Sequence, residues 1–115
     1  MGSRSTDLKI FQKANTLYND FFPVLLKFPQ AEKFALSQDI KNAFYSLMQS
    51  IVLANEIMHK RKMHQSEIDG YLSLLIVLFN IAKTRKYITE KKNLQMQLRV
   101  EEIGRMLGGW KKTTK

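Results

Sequence analysis

Glu101-Glu102-Ile103-Gly104-Arg105-Met106-Leu107-Gly108-Gly109-Trp110-Lys111-Lys112 is the stretch on which the fold turns. Ile103, Leu107 and Trp110 continue a seam begun by Met96 and Val100, and their steps of four and three residues put all of them on one side of a helix. Three glycines interrupt the run. Each costs a helix interior about 1 kcal/mol relative to alanine. Two readings of them stand side by side. Gly108 or Gly109 is a C-terminal cap, or the helix continues and Gly104 and Gly108, four apart, leave a bare strip for a neighbouring helix, with Trp110 as an anchor on the seam. In either case the seam needs partners.

Upstream residues supply three further amphipathic helices. The fourth helix is expected over 89–110, starting near Thr89, and Lys86 to Ile88 make a tight connection before it. The third is expected over 66–86. Ser66 followed by Asp69 resembles a capping box. Ile68, Leu72, Leu75 and Phe79 form one stripe, and Tyr71, Leu74, Leu78 and Ile81 form another. This helix is apolar nearly all round from Leu72 to Ala82, so it is either sunk deeply or covered by another subunit. The second, over 37–59, has Ser37 as its expected N-cap, Asp39 in the first turn, and Ile40, Phe44, Leu47, Ile51, Ala54 and Met58 on its stripe. The first, over 7–27, has Thr6 as its expected N-cap. Ile10, Ala14, Leu17, Phe21, Val24 and Phe28 lie on one stripe, with Phe11, Tyr18, Phe22 and Leu25 beside them. Pro23 predicts a kink, and Phe28-Pro29 ends the helix. Short connections between long helices favour antiparallel neighbours. The expected fold is therefore all-α, an up-down-up-down four-helix bundle forming a single domain over 1–115.

Composition narrows the function. The 115 residues carry 19 Lys and Arg against 10 Asp and Glu, a formal charge of +9. That excess favours a polyanionic partner. There are no cysteines, which excludes disulfides and thiolate metal sites and makes a cytoplasmic setting the expectation. No apolar run approaches the ~20 residues of a membrane span, so no membrane partner is expected. The polar start shows no signal peptide, and Met1-Gly2-Ser3 reads as a vector-derived remnant.

No catalytic constellation is legible. The glycines form no phosphate-cradling loop, and no Ser, His or Asp sits in a nucleophile motif. Glu101 and Glu102 are adjacent, so their side chains diverge around a helix and do not share a proton. His59 and His64 read as solvated loop histidines. A metal would need Glu56 or Glu67 as a further ligand, and none is expected. No cofactor is expected either.

The cations are more informative. Lys83, Arg85, Lys86, Lys91 and Lys92 gather around the third connection, with Tyr87 among them as a ring for base stacking. Lys60, Arg61 and Lys62 gather at the opposite end of an antiparallel bundle, joined by Arg4, Lys9, Lys111, Lys112 and Lys115. Lysines at helix C-termini are ordinary because of the helix dipole, but Lys91 and Lys92 fall in a first turn, where cations are disfavoured.

The closing run resembles the signature of a small four-helix-bundle family. That family contains the accessory variability determinant (Avd) proteins of diversity-generating retroelements and the bundle proteins encoded in ribosomal-RNA intervening sequences. The residues that carry the resemblance are Glu102, Ile103, Gly104, Arg105, Leu107, Gly108 and Trp110. A weaker match runs from Tyr18 to Pro29 and from Phe34 to Ser37. The resemblance implies a barrel-shaped homo-pentamer with a strongly basic surface. It also implies a non-catalytic role and binding to a retroelement reverse transcriptase and its template RNA, with DNA or an RNA/DNA hybrid as further ligands. Gly104, Arg105, Gly108 and Trp110 carry over as signature positions only; Arg105, as a cation, is separately expected among the nucleic-acid contacts. The sister family would instead associate with ribosomal RNA, and a protein-interaction bundle that touches no nucleic acid is the third reading.

Overall fold

Thr89 stands extended ahead of Glu90, and its hydroxyl accepts a hydrogen bond from the Lys92 backbone N–H at 3.0 Å. That cap starts α4, Glu90–Thr113, where the sequence places it. The computed structural model describes residues 4–115, so the remnant expected at Met1-Gly2-Ser3 lies outside the described residues. The glycines of α4 do not stop it. Ile103 and Leu107 are buried, Trp110 packs against the same core, and the Arg61 guanidinium lies 5.8 Å from the Trp110 ring centroid. Thr114 ends the helix, accepting from Gln65 Nε2 at 2.9 Å and donating to the Trp110 carbonyl. Packing of Trp110 and its neighbours thus offsets the poor helix preference of Gly108 and Gly109.

The other three helices are α1, Lys9–Leu25, α2, Leu36–Glu56, and α3, Arg61–Thr84. No strand occurs among the described residues. All three expected caps give way to other groups. Thr6 sits in a 3-10 turn, Ser5–Asp7, ahead of α1. There Ser5 donates to Glu56 Oε2 at 2.8 Å and accepts from Asn55 at 3.1 Å, fastening the start of α1 to the end of α2. Ser37 lies buried inside the first turn of α2, and the Leu36 N–H is met by Glu32 Oε1 at 3.4 Å instead. Ser66 lies well inside α3 and donates to the Lys62 carbonyl. α3 begins five residues early because Arg61 turns back and donates to the carbonyls of Ala54 and Asn55, at 2.6 and 2.9 Å. Those bonds satisfy carbonyls that the end of α2 would otherwise leave open. Pro23 lies near the end of α1, which stops at Leu25 rather than at the expected 27.

Neighbouring helices meet start against end. Tyr18 pairs with Tyr45, Ser50 with Glu67, and Asn80 with Asn93, while Asp69 pairs with Lys111. Lys13 pairs with Glu102 and Asp20 with Arg99, which closes α4 onto α1. The result is a bundle of 45 × 23 × 21 Å. Its centre is aromatic: Phe79 of α3 lies 4.9 Å from Phe21 of α1 and 6.2 Å from Phe44 of α2, and all three are fully buried. The apolar girth of α3 is not fully used inside the chain, since Leu74 and Val77 remain 40% and 52% exposed.

The turn between α3 and α4 is bent by an uncommon residue. Lys86 has φ 65°, the left-handed conformation. The Lys86 N–H reaches the Lys83 carbonyl and the Tyr87 N–H reaches the Ala82 carbonyl, both at 2.9 Å, which is the hydrogen-bond pattern of a Schellman ending. Glycine is the usual occupant, and a side chain there costs about 1–2 kcal/mol. Lys86→Gly is therefore expected to raise stability by about 0.5–1 kcal/mol, because the strain relieved exceeds the freedom glycine adds to the unfolded chain. A higher urea midpoint at unchanged m-value would register it.

Candidate nucleic-acid interface

The end of α3 and the start of α4 bring Lys83, Arg85, Lys86, Tyr87, Lys91 and Lys92 to one pole, but they do not form one set. Arg85 Nη1 and the Tyr87 hydroxyl both donate to Glu32 Oε2, each at 2.7 Å. The Tyr87 ring lies 5.2 Å from that of Phe28. Tyr87, expected as a stacking ring, is therefore turned into the fold, and Arg85 is half committed to it. Glu32 is 8% exposed and joins three elements: the N-terminus of α2 through Leu36, the α3 end through Arg85, and the turn through Tyr87. Local periodicity gave no sign of it.

The Tyr87 hydrogen bond first, then the Leu36 N–H and Arg85, hold the Glu32 carboxyl below its usual range against an opposing desolvation. The same bond pushes the Tyr87 phenol up. A carboxylate with a depressed folded pKa contributes stability above its unfolded value, near 4.3, and that contribution is lost as pH falls through the folded value. Wild type is therefore expected to lose more melting temperature between neutral pH and about pH 3 than Glu32→Gln does. Parallel melting curves at the two pH values measure the difference.

Lys83, Lys86, Lys91 and Lys92 are differently placed. Among the described residues none of them has a carboxylate within ion-pair distance. Lys86 and Lys91 are exposed and Lys83 and Lys92 half-buried. Lys83 and Lys86 line an open groove of about 460 Å³ with Tyr87, Ile88, Thr89 and Glu90. Lys91 and Lys92 stand in the first turn of α4, against the helix dipole.

At the opposite pole, the expected loop His59–Lys62 is a 3-10 turn, Met58–Lys60, leading directly into α3. Lys62 therefore also occupies a helix first turn, where a cation is disfavoured. Lys60 and Lys62 are exposed. Arg61 is absorbed by the Ala54 and Asn55 carbonyls and the Trp110 ring. Lys111 is paired with Asp69, while Lys112 is exposed with no carboxylate at ion-pair distance among the described residues. Arg105 is exposed on α4 and likewise makes no ion pair there. Gly104 would bring a Cβ to 4.0 Å from Leu72 Cδ1, and nothing within the chain approaches Gly108. The bare strip is thus half covered by α3 and half open.

His64 corrects the reading of two solvated histidines. It is buried on α3, with Nδ1 2.6 Å from Glu67 Oε1, while His59 is exposed. No group of three or more His, Cys, Asp or Glu side chains that would hold a metal occurs among the described residues. Among those residues no helix is long and apolar enough to cross a membrane.

The arrangement offers basic clusters at both poles of an elongated bundle. A family model described as bAvd-like matches residues 8–114, nearly the whole chain. Searches among curated proteins and among solved structures find no match. With four helices and that near-complete match, the chain belongs to the bAvd-like family and is an Avd-type accessory protein.

Proposed function

We propose that this chain is the non-catalytic accessory subunit of a diversity-generating retroelement, binding the element's reverse transcriptase and its template RNA to support mutagenic reverse transcription. The observation that carries the reading is the α3–α4 pole of an Avd-type bundle, where Lys83, Lys86, Lys91 and Lys92 have no acidic partner among the described residues. Phosphates are what such a cluster lacks. The left-handed Lys86 adds to this: a strained position that glycine would fill more easily carries an exposed ammonium group instead.

Self-association belongs to the same reading, with five copies by family resemblance. Leu74 and Val77 on α3 and Leu94 and Leu98 on α4 are exposed apolar side chains that a second copy would cover. A ring of bundles would repeat each basic pole around its rim and present a continuous surface to a long polyanion.

Affinity purification of the tagged chain from its own host tests the reading. Recovery of a reverse transcriptase together with template-repeat RNA is the expected result. Recovery of ribosomal RNA or ribosomal proteins alone would move the chain to the sister role, and recovery of protein partners without RNA would make it a protein-interaction bundle.

A further inference from the structure

A second cationic feature lies between the C-terminal end of α1 and the N-terminal end of α2, at the pole where Glu32 and Phe28 meet Arg85 and Tyr87 of the α3–α4 turn, and none of its lysines belongs to the clusters above. A cleft of about 250 Å³ opens there, lined in part by Leu26, Gln30, Lys33, Ser37 and Lys41. Two aromatic rings stand beside it. Phe34 is 85% exposed and Phe22 is 36% exposed. Each holds one of the cleft's lysines over its face: Lys33 Nζ lies 5.5 Å from the Phe34 centroid, and Lys41 Nζ lies 5.7 Å from that of Phe22.

The electrostatics of the cleft are one-sided. Among the described residues Lys33 and Lys41 have no carboxylate at ion-pair distance. Glu32 is consumed by Arg85 and Tyr87, and Asp39 faces the α2–α3 seam beside Asn42 and Tyr71. Ser37 lines the cleft, makes no side-chain hydrogen bond within the described residues, and keeps its hydroxyl oxygen open to solvent. A cleft with two unneutralised ammonium groups and a solvent-open hydroxyl suits an anion. Two exposed phenyl rings at its sides ask for a flat π-surface.

We propose that this cleft is a subsite for unpaired nucleotides: one phosphate sits between Lys33, Lys41 and Ser37, and the flanking bases stack on Phe34 and Phe22. The subsite rests on the nucleic-acid reading above and adds a strand preference to it. Bases inside a duplex have both faces covered by their neighbours, so only a single strand offers a face to each ring. As the phosphate enters, the two lysines turn from the rings towards it and free the ring faces for the bases. An apolar peptide is the poorer occupant, because a lysine covers each ring and breaks the apolar surface. Sequence preference is weak, since every base has a π-face.

The test is fluorescence anisotropy with a labelled oligouridine single strand and a blunt RNA duplex of equal length. Phe34 stands free of the fold while Phe22 packs edge-on against Tyr18 at 6.1 Å between centroids, so a melting curve of Phe22→Ala/Phe34→Ala accompanies the titration, and Phe22→Tyr/Phe34→Tyr keeps the stacking surface. The alanine variant is expected to lose on the order of tenfold or more in single-strand affinity, with duplex affinity changed by less than about twofold, and the tyrosine variant to restore single-strand binding. Equal loss on both probes, or no loss on either, would overturn the subsite while leaving the basic pole standing. The second of these would give the cleft to a protein partner with acidic and apolar side chains. A wild-type chain that ignores both probes would overturn the nucleic-acid reading as well.

Discussion

Replacing Phe79 with alanine is expected to lower the unfolding free energy by about 3–5 kcal/mol. The ring is fully buried and touches both Phe21 and Phe44, so its loss opens a cavity where three helices meet. The rigid neighbours do not close that cavity, because each is held by its own helix. A domain of this size has about 5–15 kcal/mol in total, so this one truncation takes a large share of it. Chemical denaturation reads the effect as a lower midpoint at nearly constant m-value. A loss below about 1 kcal/mol would mean that the aromatic centre is not where the fold is held.

The helices were legible because periodicity is local. Leu17, Phe21, Phe44, Leu47, Leu75, Phe79, Ile103 and Leu107 all lie on stripes visible in the sequence, and all are buried. The start of α4 near Thr89 was legible for the same reason, and the Thr89 hydroxyl meets an N–H only three residues away. The other helix starts were not. Glu32, Arg61 and Ser5 finish helix ends or fasten them to other helices, and Ser5 and Glu32 do so with partners more than 50 residues distant. No pattern in their immediate neighbours marks that use. The glycines of α4 show the opposite limit. Their spacing left a stop and a continued helix side by side, and the packing of Trp110 decides for the helix.

The candidate interface was legible as charge but not as geometry. Counting lysines found both poles. It did not separate Lys83, Lys86 and Lys91, which have no carboxylate at ion-pair distance among the described residues, from Arg85 and Tyr87, which hold Glu32. It also passed over Lys33, Phe34 and Lys41, because a lone aromatic in a connection carries no periodic signal. Their meeting with Phe22 depends on how α1 and α2 converge.

RNA binding at the α3–α4 pole is isolated by the variant Lys83→Glu/Lys86→Glu/Lys91→Glu. Arg85 is left intact, since a carboxylate there would face the buried Glu32 and destabilise the turn. The three reversals are nearly neutral for folding. Glutamate is unfavourable at position 83 near the end of α3 and favourable at 91 in the first turn of α4, each by about 0.3–1 kcal/mol. Position 86 keeps the same backbone strain with any side chain. Titrating template RNA into wild type and variant over a range of salt is the measurement. The variant is expected to bind with affinity lower by on the order of a hundredfold near 0.1 M salt, with a logarithmic salt slope shallower by about two and an unchanged melting curve. Wild-type affinity and an unchanged slope in the folded variant would contradict it.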